Sequence, residues 1–395
     1  MKRFFNDIIR IWLCEFRLTF HDLGVLTFFV LLPFLYPVVY SLIYNPEVPR
    51  EVAVIVVDDD RSPESRNFVR EVDASPAVKV VGYAANMQEA RQRMAQKECY
   101  GILRFDSDFG KLIGNGESGT VEVYADMSLL IRYKNILMSV SFASLQLGSE
   151  SQNEFVGKLG AQSLSTGAPV EYKLIAIGNT TQGFASAIMP AVLILILQQA
   201  FMIGIALLFV TSRERARRNG GIDPEGTTEA GTVATMLGKG LFYFVIIAIP
   251  AVFLMRVMPI IFEFPQLGSI WHVMALALPF ILCIIAMGMI LQSLIPEREA
   301  IFPLFVFTSI MFVFLSGVSW PIFAMPRFYQ FVAWCLPSTW MINGYVAIMG
   351  TGATLAQQAH TYHTLWLLAA LYGLMAFAVL TIQKNWTKWR QNRQK

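Results

Sequence analysis

Apolar residues gather into six runs of membrane-spanning length: 23–44, 183–210, 236–255, 270–291, 300–314 and 362–382. At 1.5 Å per residue the first covers about 33 Å, enough for a hydrocarbon core of about 30 Å. Pro33 and Pro37 predict a kink within it. The second exceeds what a bilayer needs, which predicts tilt or projection. Between the fifth and sixth runs, the stretch 312–349 is apolar too, but Ser316-Gly317, Pro321, Pro326 and Pro337 break it. Broken helices at membrane depth need surrounding protein or a watery cavity to take up the freed carbonyls. The pattern predicts a span ending near Gly317, then two short helices in a re-entrant hairpin over 318–349.

Two stretches follow other periods. In 1–22, Phe5, Ile8, Ile9, Trp12, Leu13 and Phe16 recur at helical spacing between Asp7, Arg10, Glu15 and Arg17. That predicts an amphipathic helix lying on the membrane surface; the alternative is a plain extension of the first span. The segment 46–177 alternates strand and helix signals. Val52–Val57 is a buried-type strand ending in Asp58-Asp59-Asp60, and Ser62 with Pro63 starts a helix. Strands at 78–82, 100–105 and 120–124, a helix over 87–96 begun by Asn86, and a long helical stretch from Ser128 to about Leu164 complete it. The expected fold is thus an α-helical polytopic membrane protein: an N-terminal amphipathic helix, six transmembrane helices, an outer re-entrant hairpin and an inserted α/β domain.

Composition agrees. Of 395 residues 55% are apolar and 15% charged, unusual for a soluble protein of this length. A net charge of +3 is too small to suggest nucleic acid. Cys14, Cys99, Cys283 and Cys335 are too scattered for a disulfide framework or a metal motif. Basic residues settle the orientation. Lys2, Arg3, Arg10 and Arg17 precede the first span; Arg213, Arg215, Arg217, Arg218 and Lys239 lie around the second connection; a basic tail occupies 383–395. The other side has little beyond Arg256 and Arg327. The positive-inside rule places both termini in the cytoplasm and 46–177 outside.

Candidate chemistry is sparse. Gly231–Gly240 superficially suggests a phosphate-binding loop, but its spacing is too long, Gly240 stands where Ser or Thr would hold magnesium, and it runs into a span. This chain is expected to bind no cofactor. Asp58–Asp60 reads as a solvated turn rather than a cation site, and His360 and His363 as interfacial histidines, two ligands being too few for a stable metal site. Gln198 and Gln199 sit near mid-depth of the second span, either joining helices or lining a path. Ser212–Arg215 and Glu297-Arg298-Glu299 either anchor topology or dock a partner.

Ser212-Arg213-Glu214-Arg215, with the opening stretch, carries a resemblance to a known family. The amphipathic helix, an external domain opening Val52–Asp58, a later strand Tyr100–Phe109, and the series Leu315-Ser316-Gly317, Pro321, Met325-Pro326 and Pro337 resemble, in order and spacing, the permease of ABC-type exporters of the type-2 permease family. The branch is the bacterial multidrug or lipid efflux one with a large extracytoplasmic domain. The resemblance implies an inner-membrane dimer with a second permease copy or a paralogue, and cytoplasmic ATPase subunits that carry ATP and magnesium. A periplasmic adaptor and membrane lipids are further implied partners. Docking would fall to Arg213, Glu214, Arg215, Glu297 and Arg298. The path or gate would fall to Gln198, Gln199, Ser316, Gly317, Pro321, Pro326 and Pro337. One departure is the polar, glycine-rich 217–226, where the family has an apolar docking helix; Thr232–Leu237 is the substitute surface. The rival readings are a membrane receptor or scaffold sensing through its external domain, and a membrane-embedded enzyme, the latter lacking a constellation of reactive residues within the spans.

Overall fold

The computed structural model describes residues 2–44, 50–158, 179, 183–219 and 231–394. The glycine-rich stretch after Asn219 and the end of the segment read as 46–177 lie outside the described residues. The chain divides into two compact units, Val48–Ile175 and the remainder.

The larger unit is helical. An N-terminal helix, Lys2–His21, is followed, among the described residues, by six helices long and apolar enough to cross a membrane: Leu23–Ile43, Phe184–Arg218, Thr232–Ile261, Ile270–Leu291, Arg298–Leu315 and Ala359–Trp386. The second is the hub, with 94% of its apolar window buried. It packs on the fourth through small residues that let the backbones approach. A Cβ on Gly288 would stand 2.8 Å from Ile205 Cβ and 3.0 Å from the Met202 carbonyl. Phe28, Phe29, Phe201, Tyr243 and Phe280 fill the core around it.

The third helix runs well past the expected 236–255. A π-helical turn, Phe253–Val257, carries it on to Ile261. Pro259 cannot donate to the carbonyl four residues back, that of Met255, and the Tyr345 hydroxyl donates to that oxygen at 3.2 Å. The first span repeats the device: a π turn at Thr27–Leu31 stands just before Pro33. After Leu315 the chain turns through Gly317 and a 3₁₀ turn, Ile322–Ala324. Helices Arg327–Cys335 and Pro337–Thr351 then meet at 81°. The helical part of the stretch read as 318–349 therefore begins only at Arg327 and extends to Thr351.

The smaller unit is built on a four-stranded sheet in the order β2-β1-β3-β4, with β1 Val52–Asp58, β2 Val78–Tyr83, β3 Gly101–Phe105 and β4 Val121–Ala125. Strand β1 runs parallel to β2 and β3, and β4 is antiparallel to β3. Val52, Val54 and Val56 face helices Pro63–Asp73 and Leu130–Lys158 through Phe68, Val72, Ile136 and Val140. Ile55 and Val57 face helix Met87–Ala95. Cover on both faces explains why β1 reads as an unbroken apolar run. Ser62 Oγ accepts from the Ser65 N–H and Asn86 Oδ1 from the Glu89 N–H, fixing two helix starts. A short helix, Phe109–Gly114, stands between β3 and β4.

Candidate functional site

At the end of the helical unit where the basic residues gather, charged side chains bind the helices to one another. Helix Lys2–His21 lays Ile8, Ile11, Glu15 and Thr19 along one stripe. Ile11 packs against Ala234, and a Cβ on Gly238 would come within 2.9 Å of Ile11 Cβ. Glu15, 3% exposed, therefore enters the bundle. Its carboxylate holds Lys239 Nζ at 2.6 Å and accepts the Tyr243 hydroxyl at 2.6 Å. The same ammonium lies 4.0 Å from the centre of the Phe209 ring. Removing one partner of so buried a pair costs about 3–5 kcal/mol, because the other charge is left unpaired. Lys239 is also the lysine of the apparent phosphate loop, and here it is occupied by Glu15. Gly231 is the N-cap residue of the third helix.

A second knot centres on Arg298. Asp22 caps the first span, accepting from the Gly24 and Val25 N–H groups at 3.0 and 3.3 Å, and its Oδ1 pairs with Arg298 Nη2 at 2.5 Å. The Arg298 N–H donates to Glu214 Oε1 at 2.9 Å. Arg213 donates to the carbonyls of Gln292 and Ile295 at 2.9 and 2.5 Å, a cation set against the negative end of the fourth helix. Gln292 and Gln383 exchange amide hydrogen bonds at 2.8 and 3.3 Å, which brings in the last helix. Of the five residues read as docking candidates, Arg213, Glu214 and Arg298 meet in this network. Arg215 lines a groove beside the N-terminal helix, and Glu297 is exposed. Held by these bonds, the loop between the fourth and fifth spans presents Leu294, 75% exposed, beside Glu297.

Midway along its length the second span meets the bend. Gln198, fully buried, accepts the Ser338 N–H at 2.9 Å and so caps helix Pro337–Thr351. The carbonyls ending the preceding short helix are met from two other directions: Trp340 Nε1 donates to Trp334 O at 2.8 Å and the Tyr372 hydroxyl to Cys335 O at 2.6 Å. Gln199 points the other way, donating to Thr308 Oγ1 at 2.5 Å and to Phe305 O at 3.3 Å of the fifth span. Of the residues read as path or gate, Gln198 thus reaches the start of the helix that Pro337 opens. Ser316, Gly317, Pro321 and Pro326 form the turn between the fifth span and the bent pair. Ser316 Oγ donates to Val313 O at 2.7 Å, and Gly317 has φ +85°, where a side chain would be strained. Pro321 precedes the 3₁₀ turn, and Pro326 stands at the start of Arg327–Cys335.

Other candidates take structural places. Asp58 accepts from the Arg61 N–H at 2.8 Å and Ser65 Oγ at 2.8 Å, and Asp60 from the Gly110 N–H at 2.9 Å, so two of these carboxylates tie the turn. His360 lies against Trp340, ring centres 5.4 Å apart. Burial pushes the Cys99 thiol up, which disfavours the thiolate. No group of three or more metal-ligating side chains occurs among the described residues. Sequence reasoning missed Glu15, Asp22, Lys239, Gln292, Gln383 and Tyr372. The one available signal was Glu15: it sits four residues after Ile11 and seven after Ile8, a carboxylate on the packing stripe.

The model of the family described as ABC-2 family transporter protein matches residues 24–378. Comparison with curated proteins gives no match. The match takes in four of the six candidate spans whole and most of the first and last, the residues of the smaller unit, Arg298 and the bend; Asp22 and Gln383 lie just outside it. The chain therefore belongs to the ABC-2 transporter family, as a multi-pass membrane component of an ABC transporter and not itself an enzyme.

Proposed function

We propose that the chain is the permease subunit of an ATP-driven exporter of the bacterial inner membrane. It moves a hydrophobic drug, lipid or similar substrate out of the cytoplasm or inner leaflet, and a separate ATPase supplies the power. Both termini and the Arg298 knot face the cytoplasm, the unit Val48–Ile175 lies outside, and the bent pair is a re-entrant outer hairpin that lids the path. A second permease, identical or paralogous, completes the transporter, with a periplasmic adaptor as a further partner. One observation carries this reading. The second span is tied at its basic end to the loop before the fifth span, through Arg213 and Glu214, and at mid-depth to the bend, through Gln198. Gln198 and Arg213 are separated by about 22 Å of helix at 1.5 Å per residue. A buried rod of that kind can pass a displacement at the basic end to the bend, provided the motor's nucleotide states favour different positions of it.

The docking surface this supports is the exposed loop around Leu294 and Glu297 rather than Arg213, whose guanidinium is spent on carbonyls. Leu294→Asp with Glu297→Lys should reduce co-purification of the ATPase about tenfold, as loss of an interface anchor does, and abolish substrate-stimulated ATP hydrolysis in proteoliposomes. Gel-filtration behaviour should not change. Undiminished ATPase association would remove docking at this loop, and failure of the wild-type pair to export any hydrophobic probe would remove the exporter reading. The receptor alternative predicts no substrate-dependent ATP hydrolysis at all.

A further inference from the structure

A groove of about 1000 Å³ runs between helix Lys2–His21 and the basic end of the second span. We propose that it binds the phosphate headgroup of an anionic phospholipid. Arg10 and Arg17 enter it from the N-terminal helix, two turns apart on one face, Arg215 from the second span and Arg298 from the start of the fifth. Asp22 is the one carboxylate among the lining side chains, and it is already engaged by Arg298 and by the N–H groups it caps. Arg10 and Arg17 form no ion pair among the described residues. Arg298 is already paired with Asp22, so Arg10 and Arg17 are the guanidiniums through which the groove would hold an anion, and guanidinium geometry suits phosphate oxygens.

The groove's other wall favours a lipid over a soluble phosphate. Ile9 and Leu13 line it and are more than half exposed. They continue a stripe of exposed apolar side chains, Phe5, Ile9, Leu13, Phe16 and Phe20, along the flank of the helix beside its buried stripe. An apolar stripe beside arginines is the pattern of a helix at the headgroup level, where acyl chains meet one wall and phosphate the other. An acidic segment of a partner protein would use the arginines but leave the stripe bare. The proposal stands apart from the transport reading.

The test uses the full chain in detergent and native mass spectrometry, with phosphatidylglycerol, phosphatidylcholine and inorganic phosphate as probes. Phosphatidylglycerol should be retained at low occupancy number, phosphatidylcholine should not, and millimolar phosphate should not displace it. Arg10→Gln with Arg17→Gln should weaken retention about tenfold or more, as expected from removing two cations near an anionic headgroup. Arg10→Lys with Arg17→Lys should restore most of it and shows that the fold is kept. Equal retention by wild type and the double glutamine variant overturns the proposal. So does displacement by inorganic phosphate, which makes the groove a free-phosphate site.

Discussion

The second and fifth spans are both apolar enough to cross a membrane, yet 94% of the apolar stretch of one is buried and 11% of the other. Hydropathy reports the solvent a helix can live in, not its neighbours, since lipid and protein interior are equally apolar. The polar exceptions report the neighbours. On the second span Gln198 and Gln199 are adjacent, so they project about 100° apart and reach two different elements, the bend and the fifth span. The fifth span has Thr308 and Ser309, whose hydroxyls bond their own helix carbonyls at 2.7 Å. Its apolar side chains, Phe302, Val306, Phe307, Ile310 and Phe314, are exposed.

The sharpest way to break this contrast is at the crossing of the second and fourth spans. Gly288→Leu drives a side chain into Ile205 and the Met202 carbonyl, and overpacking there should cost about 3 kcal/mol. The readout is the thermal midpoint of the detergent-solubilised protein. An unchanged midpoint would mean that the second span is not packed as a hub.

The two glutamines give a finer test. Gln198→Leu leaves the Ser338 N–H without its acceptor in a dry interior, about 2 kcal/mol. Gln199→Leu should cost about 1 kcal/mol, because Thr308 keeps its bond to Leu304 O and loses only a neutral partner. The order matters more than the values. If Gln199 proves the costlier loss, the second span is fastened chiefly to the fifth, and the bend is not its main load.

These differences mark where the sequence could be read. Span number follows from apolar length, and the helix starts at Pro63 and Met87 from Ser62 and Asn86, all local signals. Pro337 announced a break, but the 81° angle depends on Gln198 and Tyr372, which reach it from distant parts of the chain. The third span was read as 236–255; a π turn and the Tyr345 hydroxyl carry the helix on past Pro259. Lys239 was counted as a topology charge, and its partner Glu15 as an interfacial one. Their pairing crosses more than two hundred residues, and neither periodicity nor charge counting has that reach.

The smallest effect concerns the exposed span. Phe307 is 73% exposed, so Phe307→Ala should change the stability of a single protomer by no more than about 0.5 kcal/mol. Exposure alone does not call for a partner, since lipid tails satisfy an apolar face as well as another helix does. A dimer built on this face needs close contact between copies, and that is measurable. Phe307→Cys, in a background lacking the half-buried Cys14 and Cys335, should form an intermolecular disulfide in native membranes if a second copy seats on the fifth span. A chain that stays monomeric on non-reducing gels, while the same cysteine reacts with a lipid-phase maleimide, places lipid against this face. The contrast with the second span would then be one of protein against bilayer, and the partner permease would have to use another surface.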